Sequence, residues 1–353
     1  MKNRKVSWIL AVCTGVLLLA GCGGEKQKIF EQAEKDFAQG SYEYALSGYG
    51  ASAANEWKTA RSYRGAGLCN LRLGKYEDAI SCFTSALNCE KVGKALSKDI
   101  LSYHATAEWN LELYEDAMAD CQTLAEDYTM DADTYYLTGK VALSMDSYAE
   151  ASSNFEQAYG EDSTYDMAIR IYEAYLERDM EADGTRYLEA ALQTEPKKAD
   201  DYCDRGRVYY YMADYESAQK ELIEASNQGS PEALLLLGMV YLAQNDVSNA
   251  RSMYQEYVSG EGASAQGYNG LALCDIAEGK YEDALANINN GLPSATTEEM
   301  QDLLFNEIVA YEKQLDFAAA LQKAKEYLEM FPDDEAAAKE VKFLQTRVQT
   351  NTQ

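Results

Sequence analysis

The sequence contains a single histidine, His104, and only four prolines among 353 residues. Scarce histidine removes the side chain that most often acts as a general base or a metal ligand. No Cys-x-x-Cys pair or Cys/His cluster is present, so the usual zinc motifs are missing. Valine and isoleucine are sparse beside alanine, leucine, glutamate and tyrosine, a bias that favours helix over strand. We therefore expect an all-α protein.

Positive charge is also scarce, because 31 Lys and Arg residues face 59 Asp and Glu residues and leave a net charge of −28. Such a chain repels nucleic acid and anionic lipid headgroups, so neither is expected as a partner through charge. An acidic surface of this kind more often serves solubility than binding. With 47% hydrophobic residues, the chain is nevertheless apolar enough to fold.

A catalytic constellation is missing from the sequence as well. His104 falls inside a predicted helix beside the small packing residue Ala105, which indicates a structural histidine. The glycine-rich segment 260–267 lacks the Gly-Lys-Ser/Thr of a phosphate loop. Asp131 and Asp133 begin like a calcium loop, but the required glycine and closing glutamate do not follow. We expect neither an enzyme nor a metal or cofactor site.

The N-terminus has a basic start at residues 2–5 and a 15-residue apolar run at 6–20. That run is too short to span about 30 Å of hydrocarbon comfortably, and the pattern is typical of a secretory signal. The Leu-Ala-Gly-Cys that follows at 19–22 resembles the lipobox of bacterial lipoproteins. The resemblance implies that the thiol of Cys22 carries a diacylglyceryl group and that Cys22 becomes the mature N-terminus.

The same resemblance implies a location. Two or three acyl chains anchor a folded domain stably where one chain would not. The protein is therefore expected at the bacterial cell membrane, lipid-anchored on its extracytoplasmic side. Removal of the signal also removes three basic residues and brings the net charge to −31.

A short phrase recurs along the rest of the chain. Gly-Lys-Tyr-Glu-Asp-Ala occurs at 74–79 and again at 279–284. In eight places an aromatic or apolar residue is followed by alanine three positions later, at Tyr42, Tyr76, Tyr114, Tyr148, Tyr215, Val247, Tyr281 and Phe317. The spacing is close to 34 residues, apart from one interval of 67 that spans a degenerate copy near Gly184. A fixed period of this length predicts a repeat architecture.

Each period contains two helical patterns separated by a break. Gly67 lies at the middle of the first pattern, Gly74 breaks the chain, and Ala79 and Phe83 fall on one face of the second pattern. This arrangement resembles the tetratricopeptide repeat, with its small residue in the first helix and its alanine and aromatic in the second. The resemblance implies a right-handed α-solenoid of about nine helical hairpins.

Two copies depart from the repeat pattern, those near 165–197 and 301–332. Tyr172 and Ile308 occupy the position in the first helix where the other copies carry a small residue. The predicted organisation is a signal peptide at 1–21, a short lipidated tether at 22–27, the solenoid at 28–332, and a capping helix with a polar tail at 333–353. In the capping helix, the apolar face that we expect to close the last repeat is formed by Ala336, Val341, Leu344 and Val348.

Six cysteines follow Cys22 in the sequence, and most fall on or near the apolar faces of predicted helices. Cysteine in such a place serves as a small hydrophobic residue. We therefore expect free thiols at Cys69, Cys82, Cys89, Cys121, Cys203 and Cys274.

The inner face of the predicted solenoid is the candidate binding site, because the resemblance places the first helix of each hairpin on the concave side. The predicted inward residues are Arg61, Arg64, Arg72, Tyr103, Trp109, Tyr136, Lys140, Arg170, Arg207, Tyr210 and Tyr211. Aromatic residues and arginine dominate interface energetics. One hypothesis is a locally positive, aromatic groove that captures an extended or acidic polypeptide. The alternative is that these side chains pack between hairpins and that their charges are balanced by Asp99, Asp133, Glu173 and Asp204.

The predicted function is a membrane-anchored, extracytoplasmic scaffold or adaptor that binds partner proteins through this groove, in cell-envelope assembly or secretion. A lipoprotein receptor for a glycan or cell-wall ligand is the alternative, since tyrosine and tryptophan also stack on sugars. No small-molecule cofactor is expected in either case.

Overall fold

The computed structural model describes residues 23–260, 264–332 and 334–350. The predicted signal segment and Cys22 lie outside these residues. Within them the chain forms 19 α-helices, one 3₁₀-helix at Leu292–Ser294 and no strand. The first ten helices are α1 Gly23–Ala38, α2 Tyr42–Ala54, α3 Thr59–Arg72, α4 Tyr76–Leu87, α5 Lys94–Asn110, α6 Tyr114–Asp127, α7 Ala132–Ser144, α8 Tyr148–Glu161, α9 Tyr165–Leu176 and α10 Glu181–Ala191. The others are α11 Ala199–Tyr211, α12 Tyr215–Asn227, α13 Pro231–Ala243, α14 Val247–Ser259, α15 Ala265–Glu278, α16 Tyr281–Gly291, α17 Thr297–Lys313, α18 Phe317–Met330 and α19 Glu335–Thr350.

Successive helices pair into nine hairpins, from α1 with α2 to α17 with α18, and α19 packs on α18. We number the hairpins one to nine in chain order. Each hairpin also packs on the next, so the described residues form the all-α solenoid of about nine hairpins and a C-terminal helix that the sequence predicts.

The recurring phrase marks the start of the second helix of a hairpin. In eight of the nine hairpins, the second helix begins at the aligned aromatic or apolar residue. The alanine three positions later is fully buried in all eight, at Ala45, Ala79, Ala117, Ala151, Ala218, Ala250, Ala284 and Ala320. A methyl group at this position lets the two helices of a hairpin approach closely, and any larger side chain would hold them apart.

Small residues in the first helix make room for the large buried side chain of the second. A Cβ built on Gly67 would lie 2.5 Å from Cε1 of Phe83, a ring with no exposed surface. Gly139 stands in the same relation to Phe155, at 2.8 Å. These contacts are closer than side chains tolerate, so the glycines are required by packing.

The degenerate fifth hairpin, α9 with α10, is formed like the others. Its first helix carries the bulky Tyr172, which is 3% exposed. Gly184 of α10 faces it, and a Cβ there would lie 2.9 Å from Cα of Tyr172. The small residue has moved from the first helix to the second, and the close helix crossing is kept.

One residue with a left-handed backbone occurs in the turn of each hairpin. Glycine fills this position at Gly40, Gly74 and Gly279, where φ is between 68° and 76°. The other six turns use residues with a side chain, among them Ala213 with φ of 54° and Leu315 with φ of 65°. Side chains are disfavoured in this conformation, so these turns store backbone strain that the helix packing holds in place.

The N-terminal boundary differs from the prediction. Residues 23–27, predicted as a tether, form the first turns of α1. Glu25 in the first turn favours the positive end of the helix dipole, and Nζ of Lys26 donates a hydrogen bond to the carbonyl oxygen of Asn55 at 2.6 Å. These interactions outweigh the poor helix propensity of the two glycines at the start.

The C-terminal helix α19 covers the last hairpin, as the predicted capping helix does. Its buried residues are Ala337 and Leu344, which pack with Ile308 of α17 and Tyr327 of α18. Ala336, which the sequence analysis placed on this face, is exposed instead. The helical phase is therefore offset by one residue at its start.

The six cysteines after Cys22 are free. Four of them are buried, and burial raises the pKa of the Cys69 thiol to about 12 and that of Cys121 to about 11. They act as small apolar residues in the packing, whereas Cys82 and Cys89 are only half-buried. Among the described helices, none combines the length and apolar character that a membrane span requires.

Candidate functional site on the inner face

The first helices of the hairpins lie on the inner side of the curve. Each of α1, α3, α5, α7, α9, α11, α13 and α15 contacts the next first helix along the chain, whereas contact between successive second helices is sparser. In a curved stack the inner elements are the closer ones. The predicted inward residues are carried by α3, α5, α7, α9 and α11, all of which are first helices.

Arg64 of α3 binds α5 in two ways. Its guanidinium donates two hydrogen bonds to the carboxylate of Asp99, the Nη2 to Oδ1 distance being 2.9 Å. Its Cζ also lies 5.5 Å from the ring centroid of Tyr103. The hydrogen bond to Asp99 raises the pKa of Arg64, so the cation stays charged. This bidentate pair joins the second and third hairpins across the inner face.

Arg170 of α9 repeats this arrangement on α7. Its Nη1 donates to Oδ1 of Asp133 at 2.8 Å, and its Cζ lies 4.2 Å from the ring centroid of Tyr136. Burial raises the pKa of Tyr136 to about 12, which keeps the phenol neutral under the cation. The same carboxylate, aromatic and arginine combination therefore occurs twice along the inner face.

Lys140 of α7 covers Trp109 of α5, with its Nζ 3.8 Å from the indole centroid. Burial lowers the pKa of Lys140. Glu177, directly after the end of α9, opposes that shift, with its Oε2 3.7 Å from Nζ of Lys140. Nε1 of Trp109 donates to Oγ of Ser144, one turn after Lys140, at 2.8 Å. The indole is thus held at both its face and its edge.

A second group of predicted residues lies farther along the chain on α11. The phenol of Tyr211 donates to the carboxylate of Glu173, and the rings of Tyr210 and Tyr211 are 5.9 Å apart. Arg207 pairs with Asp204 one turn earlier on α11, at 3.4 Å. Arg207, Tyr210 and Tyr211 line one small cavity of about 40 Å³ beside α13.

Arg61 and Arg72 lie at opposite ends of α3. Arg61 is exposed, one turn before Arg64. Nη1 of Arg72 donates to Oε1 of Glu298 on α17 at 2.8 Å, although 226 residues separate them. The curvature of the solenoid therefore brings the second hairpin against the ninth, which nothing in the local sequence indicates.

Two of the cavities on the inner face flank α5, one on each side. The first, about 680 Å³, is lined by predicted residues from α5, α7 and α9: Tyr103, Trp109, Tyr136, Lys140 and Arg170. The second, about 720 Å³, lies where the second and ninth hairpins meet and is lined by Arg64, Arg72, Tyr103, Phe37, Glu298 and Phe331. Each has the size of a ligand pocket.

Sequence reasoning missed Thr106 and Asn110, which line both cavities. They follow Tyr103 at intervals of three and seven residues, so helical periodicity could have identified them. Phe331 and Glu298 carry no such signal, because their position depends on the curvature of the whole stack. Whether any of these residues binds a partner stays a prediction.

The charges of the inner face are balanced within it. Arg64, Arg170 and Arg207 pair with Asp99, Asp133 and Asp204, the carboxylates that the alternative interpretation named. This pairing matches the alternative interpretation, in which carboxylates balance the inward arginines, while the aromatic side chains of the first hypothesis are also present.

The side chain of His104, on α5, is half-buried where α5 meets α4 and α6. Burial alone would lower its pKa, but the carboxylates of Asp120 and Glu108 outweigh burial and raise it to about 9. The sequence analysis interpreted it as a structural histidine, and Asp120, 16 residues away, could not be connected to it by spacing.

Part of the chain matches a known protein family. Residues 203–268, from α11 to the first residues of α15, match the tetratricopeptide repeat family. A "BBSome complex member BBS4 homolog" of Drosophila melanogaster is 22% identical over 267 residues, which are 74% of this chain and 49% of that protein. The chain thus spans about half the length of this relative.

Two solved structures of low sequence identity align with most of this chain. A tetratricopeptide repeat protein from Parabacteroides merdae is 18% identical, with a TM-score of 0.44 over 71% of this chain and 99% of that chain. The APC/C hetero-tetramer Cut9-Hcn1 is 13% identical, with a TM-score of 0.40 over 91% of this chain and 76% of that chain. The fold is an all-α solenoid of tetratricopeptide type, an architecture typical of scaffolds for protein–protein interaction.

Proposed function

We propose that this protein is a scaffold that binds an extended segment of a partner protein on the inner face of the solenoid. The observation that carries the proposal is the pair of cavities on either side of α5, both lined by Tyr103, Thr106 and Asn110. A segment that follows the curve would fill both cavities and cross α5 between them. Helical repeat proteins present this kind of long concave surface to their partners.

The chemistry of the inner face favours a largely neutral segment. Arg64 and Arg170 are already paired with carboxylates, so an acidic partner would have to displace those carboxylates to bind these two arginines. Within the part of the chain that the structure describes, Thr106 and Asn110 make side-chain hydrogen bonds to the backbone of their own helix, at 2.8 Å each. Their remaining polar atoms suit the amide groups of an extended backbone.

The aromatic rings are less well placed for a sugar ligand. Lys140 occupies one face of Trp109, and Arg170 occupies one face of Tyr136. Stacking on a sugar needs an open ring face. We therefore favour a polypeptide over a glycan or cell-wall ligand.

A photo-crosslinking amino acid at Thr106 tests this proposal in intact cells. We expect one predominant crosslinked polypeptide, and we expect Asn110→Trp to abolish it by filling the space between the cavities. Asn154→Trp is the matched control, because the Asn154 amide makes the same bond to its own helix, at 2.9 Å, on the second helix α8. Equal capture in both tryptophan variants would refute binding on the inner face.

We further propose that Cys22 anchors this scaffold by lipid to the extracytoplasmic face of a bacterial cell membrane, where its partners would be proteins of cell-envelope assembly or secretion. The support is the Leu-Ala-Gly-Cys pattern at 19–22, after a basic start and an apolar run. Since α1 begins at Gly23, such an anchor would hold the first hairpin directly at the lipid surface.

Metabolic labelling with palmitate and cell fractionation test the anchor. Cys22→Ser should lose the label and release the protein from the membrane fraction, because the thiol is the site of acylation. Cys13→Ser is the control, since Cys13 lies within the apolar run and would leave with the signal. Membrane retention of the unlabelled Cys22→Ser protein would contradict the proposal.

A further inference from the structure

Three side chains that can ligate a metal converge in the third hairpin. His104 and Glu108 are one turn apart on α5, and Asp120 faces them from α6. Nδ1 of His104 lies 2.6 Å from Oδ2 of Asp120 and 3.4 Å from Oε1 of Glu108. The three ligand atoms all lie within 4.8 Å of one another. Helical spacing puts the first two on one face, and the antiparallel partner helix supplies the third.

Glu108 gives an independent indication of a cation site. The residue is 7% exposed, and no group of residues 23–260, 264–332 or 334–350 forms a hydrogen bond with its buried Oε2. A buried carboxylate oxygen without a partner is costly, because it has lost its water and gained nothing in exchange. A cation placed between Glu108, His104 and Asp120 would remove that cost.

The second ring nitrogen of His104 has a hydrogen-bond partner, as it has in metal-binding histidines. Its Nε2 lies 3.1 Å from Oγ1 of Thr84, on α4 of the preceding hairpin. When Nδ1 is a ligand, Nε2 carries the proton and donates it to this hydroxyl. Such a bond fixes the tautomer and the ring orientation of a ligating imidazole.

We propose that His104, Glu108 and Asp120 bind a divalent first-row transition metal ion, with zinc(II) as the best match. One imidazole nitrogen and two carboxylate oxygens form a donor set of two negative charges, which a divalent ion neutralises. Bonds of about 2.0 Å in a tetrahedral site leave ligand atoms about 3.3 Å apart. The 3.4 Å between His104 and Glu108 matches this spacing, whereas the 2.6 Å between His104 and Asp120 would have to widen when the ion binds. Water would complete the coordination.

The ion would join α4, α5 and α6 close to the cavities of the inner face. The other side of α5 carries Tyr103, Thr106 and Trp109, which line the cavities of the inner face. The metal proposal does not depend on partner binding, since its ligands face away from those cavities, and each can fail without the other.

The single histidine of the chain makes the test direct, because the imidazole resonances in a proton NMR spectrum come from His104 alone. The full chain in detergent, without a histidine tag and with its thiols reduced, is titrated with Zn²⁺ at about pH 8, where fewer protons compete for Nδ1. We expect the imidazole resonances to shift on addition of one equivalent and to stop titrating with pH. Calorimetry should show that His104→Gln and Asp120→Asn each weaken Zn²⁺ binding at least about 100-fold. This effect is larger than that of removing a residue that only forms a hydrogen bond to a metal ligand.

Two further variants separate the site from binding elsewhere. Thr84→Val should weaken binding by about 10- to 100-fold, since it removes only the group that orients the imidazole. Glu126→Gln, an exposed carboxylate on α6, should bind as the unaltered chain does. Imidazole resonances that keep their position and their pH titration in saturating Zn²⁺ would overturn the proposal. So would unaltered binding by a folded Asp120→Asn chain, which would place the ion at another site.

Discussion

The ring of Tyr254 lies between two glycines, and this contact predicts a stability change of known sign. A Cβ on Gly238 of α13 would lie 2.4 Å from Cζ of the ring, and a Cβ on Gly270 of α15 would lie 2.3 Å from Cε1. Tyr254 is 2% exposed, so the ring has no free space on its other sides. A shift away from one glycine brings the ring toward the other, and Gly270→Ala therefore cannot be accommodated by a small movement.

The magnitude follows from two opposing effects. Overpacking of a tight core costs about 1 to 3 kcal/mol, and the upper end applies because the ring is confined on both sides. Replacing glycine by alanine inside a helix raises the free energy of unfolding by about 1 kcal/mol. Gly270→Ala should therefore lose about 2 kcal/mol of unfolding free energy. Gly50→Ala is the matched control, since a Cβ there meets nothing within 4 Å, and it should gain up to about 1 kcal/mol.

Urea unfolding followed by circular dichroism measures both variants. Hydrogen exchange in α13 to α15 should accompany it, because repeat arrays can open locally without global unfolding. In a Tyr254→Leu background the smaller side chain makes room, so the Gly270→Ala loss should disappear. The packing argument fails if Gly270→Ala gains stability as Gly50→Ala does, or if the loss persists beside Leu at position 254.

Four other substitutions test three separate features of the fold. Gly279→Ala should lose about 1 to 2 kcal/mol because φ is 76° there, whereas Ala213→Gly should gain up to about 1 kcal/mol at the equivalent turn, both measured by urea unfolding with Gly50→Ala as reference. Phe155→Ala should lose about 3 to 5 kcal/mol, since the ring is fully buried, and its thermal midpoint should fall more than that of any exposed aromatic replaced in the same way. Burial and then the facing Glu340 raise the pKa of Glu312 to about 7, so the folded chain keeps this proton longer than the unfolded chain. The stability that this proton gives is fully present below about pH 4.5 and is lost as pH rises through about 7. The pKa difference sets an upper limit of about 3 kcal/mol for this contribution, which falls to about 1 kcal/mol after allowance for partial exposure. Glu312→Gln should therefore flatten the plot of unfolding free energy against pH between about 4.5 and 7.

Local repetition explains why the hairpins could be predicted. The aromatic and the alanine three residues later meet the same neighbours in each hairpin, so a single packing constraint is written many times. The fifth hairpin shows the limit of this reasoning. Tyr172 looks like a departure when α9 is considered alone, and only its contact with Gly184 shows that the close approach is preserved. An exchange of small and large residues between two helices is invisible to a pattern that assigns each role to one helix.

The candidate site was predictable in its composition and not in its contacts. Helical phase places Tyr103, Trp109 and Tyr136 on first helices, and the structure has them there. The pairing of Arg64 with Asp99 joins residues 35 positions apart on neighbouring hairpins. Such a pair depends on how two hairpins stack, and many acidic residues of similar spacing compete for it in a chain with 59 carboxylates. Because carboxylates are so abundant, the sequence alone could not identify Asp120 as the partner of His104.

The pairing of charges on the inner face changes what recognition there can depend on. A bare arginine attracts an acidic ligand from a distance, but an arginine already held by a carboxylate presents little net field. Arg64, Arg170 and Lys140 act instead as covers for aromatic rings, each within 6 Å of a ring centroid. These pairs join successive hairpins and so set the spacing of the cavities beside α5. On this argument the cations of the inner face fix its shape, and the proposed binding of an extended segment would depend on how well the segment fits that shape.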